Sequence, residues 1–209
     1  MMATSYKIIV SRYNENIEWT KHFQNVIIYN KGQPLENGYN EIFLNNVGRE
    51  GHTYYKYICD NYDNLEEYTI FLQGNPFDHS PNIINNIDKY VNNINLNIDF
   101  EFLSQEIHHS SLDLECSTYP QCKTIHNIWE RVFGVNNGNH ECTFGVGAQF
   151  IVSKNQILKK SKEFYENIVK ILEYSIDPPE GHHIERFHKY IFTNPTLVEG
   201  PSTRSIRYI

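Results

Sequence analysis

Three short apolar runs punctuate the first third of the chain: Tyr6-Lys7-Ile8-Ile9-Val10, Val26-Ile27-Ile28-Tyr29 and Thr69-Ile70-Phe71-Leu72. Each is too short for an ordinary helix and ends in polar residues, so each is read as a buried strand. Between and after them the apolar positions are spaced as in helices. Residues 49–62 place Tyr54, Tyr57, Ile58 and Tyr62 on roughly one side. Residues 82–90, 125–133, 162–174 and 183–192 have the same character, and 17–22 and 155–158 predict shorter helical pieces. Residues 33–47 are rich in Gly, Asn and Pro and read as a loop. Residues 92–100 are read as loop or edge strand, and 103–123 have no clear period. The apolar run 144–152, carrying Gly145 and Gly147, is read as one strand with a bulge. Pro178-Pro179-Glu180-Gly181 is expected to break the chain, and Asn194-Pro195 to stop the last helix.

Strands alternating with helices predict an α/β sandwich with a mainly parallel sheet. No repeat or long linker divides the chain. It is read as one domain over residues 1–195, followed by a loose tail at 196–209. In such folds ligands sit beyond the carboxyl ends of the strands. The three runs end in Ser11-Arg12-Tyr13-Asn14-Glu15, in Asn30-Lys31-Gly32 and in Gln73-Gly74-Asn75-Pro76-Phe77-Asp78-His79. Parallel strands would bring these polar clusters to one rim.

Composition narrows the function. With 18 basic against 25 acidic residues the formal charge is -7, which demotes nucleic-acid binding. A sugar or small-molecule site stays open, because local charge can differ from the total. No run of 18 apolar residues offers a membrane span. The opening segment reaches Arg12 and Glu15 too early for a signal peptide, so a soluble, intracellular protein is expected. Cys59, Cys116, Cys122 and Cys142 form no CxxC pair and are expected to be thiols, although Cys116 and Cys122 are near enough in sequence to pair if oxidised. The chain holds 25 Asn and 25 Ile, a skew typical of AT-rich coding, so most of the asparagines carry no functional message.

The clusters differ in the chemistry they suit. Gln73 can donate and accept, and Gly74 lets a ligand approach the backbone. Asp78 and His79 suit a divalent metal or a sugar hydroxyl, while Asp78 equally suits a capped turn. Arg49 opens a predicted helix, and a guanidinium at a helix N-terminus suits a diphosphate. Arg12 could meet phosphate or pair with Glu15, and Tyr13 could stack on a base. Glu185 and His188 share a helix face, which suits a general base with a partner or metal ligand; surface pairing of Glu185 with Arg186 or Lys189 is the plain alternative. His-Glu-x-x-His is absent, so a zincin is not supported. The Gly145–Phe150 stretch is not a dinucleotide motif, since a third glycine is missing.

Taken in order, these segments resemble the DUF3431 family, found in fungi, bacteria and large DNA viruses. The matching blocks are 10–15 with Trp19, 28–32, 47–50, 57–65, 70–79, 147–153 with Phe164 and Tyr165, and 184–192. They cover nearly the whole chain. That family is similar to glycosyltransferases of the GT-A type. The resemblance implies a three-layer α/β/α sandwich binding a nucleotide-diphosphate sugar at the strand ends. It implies that Ser11, Arg12, Tyr13, Asn14, Glu15, Asn30 and Lys31 hold the nucleoside and that Arg49 faces the diphosphate. Gly147, Ala148 and Gln149 would line the acceptor side, and Glu185 would be an inverting base. Such enzymes carry an Asp-x-Asp metal motif where this chain has Gln73-Gly74-Asn75.

The expected activity is therefore transfer of a sugar from a nucleotide-sugar donor to a glycan or other hydroxyl acceptor. Asp78 would orient the sugar or, with His79 and His188, hold Mn²⁺ or Mg²⁺. Two other readings fit the same residues: a non-catalytic nucleotide- or carbohydrate-binding module, and a hydrolase using Asp78, His79 and Glu185 around a metal.

Overall fold

A computed structural model describes residues 5–36, 38–93, 97–112, 125–134 and 141–193. The expected tail, the stop at Asn194-Pro195 and the pair Cys116 and Cys122 lie outside these residues. The main sheet has six strands: β1 (Tyr6–Arg12), β2 (Val26–Asn30), β3 (Glu41–Phe43), β4 (Tyr68–Gln73), β5 (Phe100–Phe102) and β8 (Phe150–Ser153). Their order is β3-β2-β1-β4-β8-β5. β1 pairs in parallel with β2 and β4, and β2 in parallel with β3; β8 runs antiparallel to both of its neighbours. The expected mainly parallel α/β sheet is present.

The three apolar runs become central strands because both of their faces are covered. Alternate residues feed two cores. Ile9, Tyr29, Phe71, Phe150 and Val152 pack against α1 (Arg49–Asn61), α3 (Ile125–Phe133), α5 (Lys162–Leu172) and α6 (Pro179–Thr193). Ile8, Val10, Ile28, Ile70, Leu72 and Ile151 face the other way, onto the 3-10 turn Glu18–His22 and α2 (Ile83–Val91). The short α4 (Lys154–Ile157) and α5 begin with serine caps, Ser153 accepting from the Gln156 N–H and Ser161 from that of Phe164.

Three readings need correction. The loop at 33–47 contains β3, an edge strand held in register by β2; its three residues are too few to show a period. The run 144–152 is two strands in different sheets, not one with a bulge. β7 (Glu141–Gly145) pairs with β6 (Ile107–Ser111), while β8 joins the main sheet. Gly147 (φ 86°) and Ala148 (φ 53°) lie between them in left-handed conformations that turn the chain. Finally, Pro179-Glu180-Gly181 begins α6 instead of breaking the chain. Proline is well suited to a helix's first turn, where its missing N–H would have no partner.

Candidate functional site

The register decides where the polar clusters go. Arg12 lies opposite Asn30, and Ser11 opposite Gln73. The ends of β1, β2 and β4 therefore share one rim. Strand order reverses between β1 and β4, so this is the switch point at which parallel α/β sheets open a crevice. A cleft of about 410 Å³ lies there. Ser11, Arg12, Tyr13 and Glu15 line it from β1, and Lys31 from β2. Gln73, Gly74, Asn75 and Asp78 line it from β4, and Asn46, Arg49 and Glu50 close it at the start of α1.

Much of this rim is held by side chains whose donors are already committed. Arg12 is buried and donates to Asn30 Oδ1 (2.8 Å) and to the carbonyls of Glu15 (3.0 Å), Tyr13 (3.3 Å) and Gln33 (2.9 Å). Its work is to lock the β1 and β2 loops together, and the Arg12–Glu15 contact is to a backbone carbonyl, not a carboxylate ion pair. Asn30 is fully buried and extends the lock, accepting from Gly32 N–H (3.0 Å) and donating to the Gln33 carbonyl (2.7 Å) and to Glu41. Asn14 Oδ1 accepts from the Gln33 N–H at 3.0 Å. Gly32 sits so close to the neighbouring loop that a Cβ would lie 1.5 Å from the Tyr13 carbonyl oxygen. The Glu15 carboxylate accepts from the Tyr13 N–H (2.7 Å) and rests on Gly74, where a Cβ would meet it at 2.6 Å. Ser11 shares a hydrogen bond with Thr53 of α1 at 2.9 Å. Tyr13, at 51 %, is exposed.

The cationic wall is built around a strained turn. Gly48 (φ 63°) and Arg49 (φ 50°) are both left-handed, and for arginine this is costly backbone. The ammonium of Lys31 holds the turn by donating to the carbonyls of Val47 (2.6 Å) and Arg49. Burial pushes the Lys31 ammonium down to about 8, against the pull of Glu50. The Arg49 guanidinium reaches across to α6, donating to His182 Nε2 (2.7 Å), with Asp177 at 3.6 Å and Glu50 at 3.7 Å. Nothing in the sequence spacing signals the Arg49–His182 contact, since 133 positions separate the two.

Glu185 lies on α6, near enough to the cleft residues Glu50 and Arg49 for their charges to act on it. Its Oε1 accepts from the N–H groups of Gly147 (2.8 Å) and Ala148 (3.1 Å). Burial and the Glu50 carboxylate raise its carboxyl to about 7, opposed by those N–H groups and by Arg49. The anticipated surface pairing with Arg186 or Lys189 is thus not its main engagement. The predicted acceptor residues behave differently from one another. Gly147 and Ala148 spend their N–H groups on Glu185, and a Cβ on Gly147 would lie 2.5 Å from the His79 ring. Gln149 is fully buried and donates to the Pro76 carbonyl at 3.0 Å, fastening the start of β8 to the loop after β4.

Asp78 faces the cleft and accepts from Asn75 Nδ2 at 2.9 Å. His188 is not brought to it. The His188 ring is buried among Tyr54, Tyr55 and Phe150, and burial holds its imidazole down to about 3. Its partner on the predicted helix face, Glu185, points to the β7–β8 turn instead. Among the described residues no three His, Cys, Asp or Glu side chains are grouped to hold a metal ion. Asp78 and His79 are adjacent, and among the described residues no third such side chain joins them. Cys59 and Cys142 are buried free thiols. No helix among the described residues is long and apolar enough to cross a membrane.

A second hollow adjoins the first. It measures about 530 Å³ and is lined by Glu15, Asn16, Glu18, Trp19, Asn75 and Phe77. Its aromatic pair comes from segments 58 positions apart, and no local pattern in the sequence announces it.

No curated protein and no solved structure matches the chain. A family model described as a protein of unknown function, DUF3431, matches residues 8–205. That match takes in the strand ends and the start of α1 that form the cleft, and the chain belongs to the DUF3431 family.

Proposed function

We propose that this chain is a glycosyltransferase with a GT-A-like α/β/α arrangement, taking its sugar from a nucleotide-diphosphate donor. The observation that carries the proposal is the convergence, at the switch point between β1 and β4, of Lys31 and Arg49 on one side and Asp78 on the other. Cations there suit a diphosphate. The exposed Tyr13 ring suits a nucleobase face, beside the wall locked by Arg12 and Asn30. Arg49 and Lys31 neutralise the charge that develops on the departing diphosphate. Asp78 orients the sugar hydroxyls.

In the step proposed, the acceptor oxygen attacks the anomeric carbon, the bond from that carbon to the diphosphate oxygen breaks, and the acceptor proton passes to Glu185. The configuration at the carbon inverts. A carboxyl titrating near neutrality is well matched to that duty. Asp78 and His79 are the side chains that would hold Mn²⁺ or Mg²⁺, and among the described residues no third His, Cys, Asp or Glu joins them.

One observation favours a second reading. The Glu185 carboxylate already holds two backbone N–H groups, as a structural cap would. A binding module without turnover would keep that contact.

The test is incubation with a panel of UDP- and GDP-sugars together with a panel of methyl glycosides as acceptors, with and without Mn²⁺, followed by nucleotide release and binding. Saturable binding that Arg49→Ala abolishes, with nucleotide release that Glu185→Gln abolishes, is the expected result. Binding without release supports the module. No binding across the panel overturns both.

A further inference from the structure

The hollow beside the cleft is built, not incidental. The Trp19 indole donates its Nε1–H to the Gly74 carbonyl at 3.0 Å and stands edge-to-face with Phe77 (6.0 Å) and Phe23 (6.4 Å). Its only hydrogen-bond donor is thereby used, so it offers the hollow a fixed apolar wall. The carboxylates are pinned as well. Glu15 is held by the Tyr13 N–H and by contact with Gly74, and Glu18 by Lys21 (2.8 Å) and the Tyr39 hydroxyl (2.5 Å). Asn16 and Asn75 add amide groups at the edge. An aromatic corner flanked by fixed acceptors suits a ligand with an apolar face and several hydroxyl or amino donors. Of the two lining carboxylates Glu18 is paired with Lys21, which leaves the Glu15 charge facing the hollow, so an anionic ligand is disfavoured.

We infer that the hollow between Trp19, Phe77 and Glu15 is a saccharide-binding subsite that takes a neutral or amino sugar. Glu15 and Asn75 belong to both hollows, so a sugar seated on Trp19 abuts whatever occupies the cleft. A role for that sugar in the transfer reaction rests on the transferase reading; sugar binding itself does not.

The test is saturation-transfer NMR on the full chain with methyl glycosides of neutral, amino and acidic sugars. Neutral or amino sugars are expected to bind and acidic ones not to. Trp19→Ala is expected to weaken binding about tenfold or more, the scale of a lost aromatic contact. Since Trp19 also packs against Phe23 and Phe77, Asn16→Tyr supplies a second variant, filling the hollow from an exposed position at the loss of the bond from the Glu18 N–H to Asn16 Oδ1 (2.9 Å); it is expected to block the sugar while circular dichroism and the melting temperature stay near those of the parent. UDP is expected not to displace the sugar. The inference is overturned if no sugar binds, if both variants bind like the parent, if acidic sugars bind best, or if UDP competes. Sugar binding that persists while UDP and GDP fail to bind would sink the transferase and leave this subsite standing.

Discussion

The carboxylate of Glu185 and the backbone of Gly147 meet at 2.8 Å across 38 positions of sequence, joining α6 to the left-handed turn between β7 and β8. Glu185 thereby sits where two backbone N–H groups favour its charge while burial and Glu50 oppose it, and opposition wins. The folded carboxyl holds its proton more tightly than an unfolded one, so the charged form costs stability. That cost is absent at low pH and grows as pH rises from the ordinary value of 4.5 to about 7. Glu185→Gln keeps an oxygen acceptor for the turn and loses the titration. The parent is expected to lose about 2–3 kcal/mol between pH 4.5 and 7 through this group, and the variant to lack that loss. Denaturant unfolding of both proteins across that range checks it.

Lys31 titrates with the opposite charge. Its ammonium is pushed down to about 8 by burial, and in that form it holds the Val47 and Arg49 carbonyls. Nucleotide-diphosphate affinity is expected to fall as pH rises through about 8, as the charge beside Arg49 is lost. Lys31→Met should bind weakly at every pH and show no such step. Calorimetric titration with UDP from pH 6.5 to 9.5 distinguishes the two.

Arg49 is partly exposed and carries its charge to the cleft. Arg49→Ala removes the guanidinium proposed to meet the diphosphate and is expected to weaken UDP about 10- to 100-fold. The left-handed backbone at this position tolerates alanine no worse than arginine, so the melting temperature should move by only a few degrees. Calorimetry and a thermal scan on the same sample read both.

Gly32 has no room for a methyl group. The obstruction is the Tyr13 carbonyl, backbone that Arg12 and Glu15 hold in place, so it cannot swing aside as a side chain would. Gly32→Ala is expected to destabilise the fold by about 3 kcal/mol and to open the β1–β2 rim. Equilibrium denaturation should show it, with UDP affinity falling at temperatures where the variant is still folded.

The elements most visible in the sequence were those whose burial is complete. Ile8-Ile9-Val10 and Ile70-Phe71-Leu72 read as strands because a parallel strand with helices on both faces must be apolar throughout. Their polar endings marked the rim for the same reason, since hydrophobic residues stop where the sheet stops covering them. β3 and the β6–β7 pair were not legible. Most of the β3 and β6 residues are exposed, and it is their partner strands that hold them in register. Pro179 misled because proline reads equally as a stop and as a first helical residue, and only the packing of α6 on the sheet selects the second.

Residue types at the strand ends, and the absence of an Asp-x-Asp there, were determined by the chain alone, as was the family to which the ordered blocks point. Tertiary structure decided what those residues do. It turned Arg12 and Asn30 inward as a lock, buried His188 among aromatic rings, set Lys31 under the turn at Arg49, and brought Trp19 to Phe77. Local sequence sets which conformations and burials are affordable, but a hydrogen bond or a shifted titration depends on neighbours that only the folded chain brings within a few ångströms.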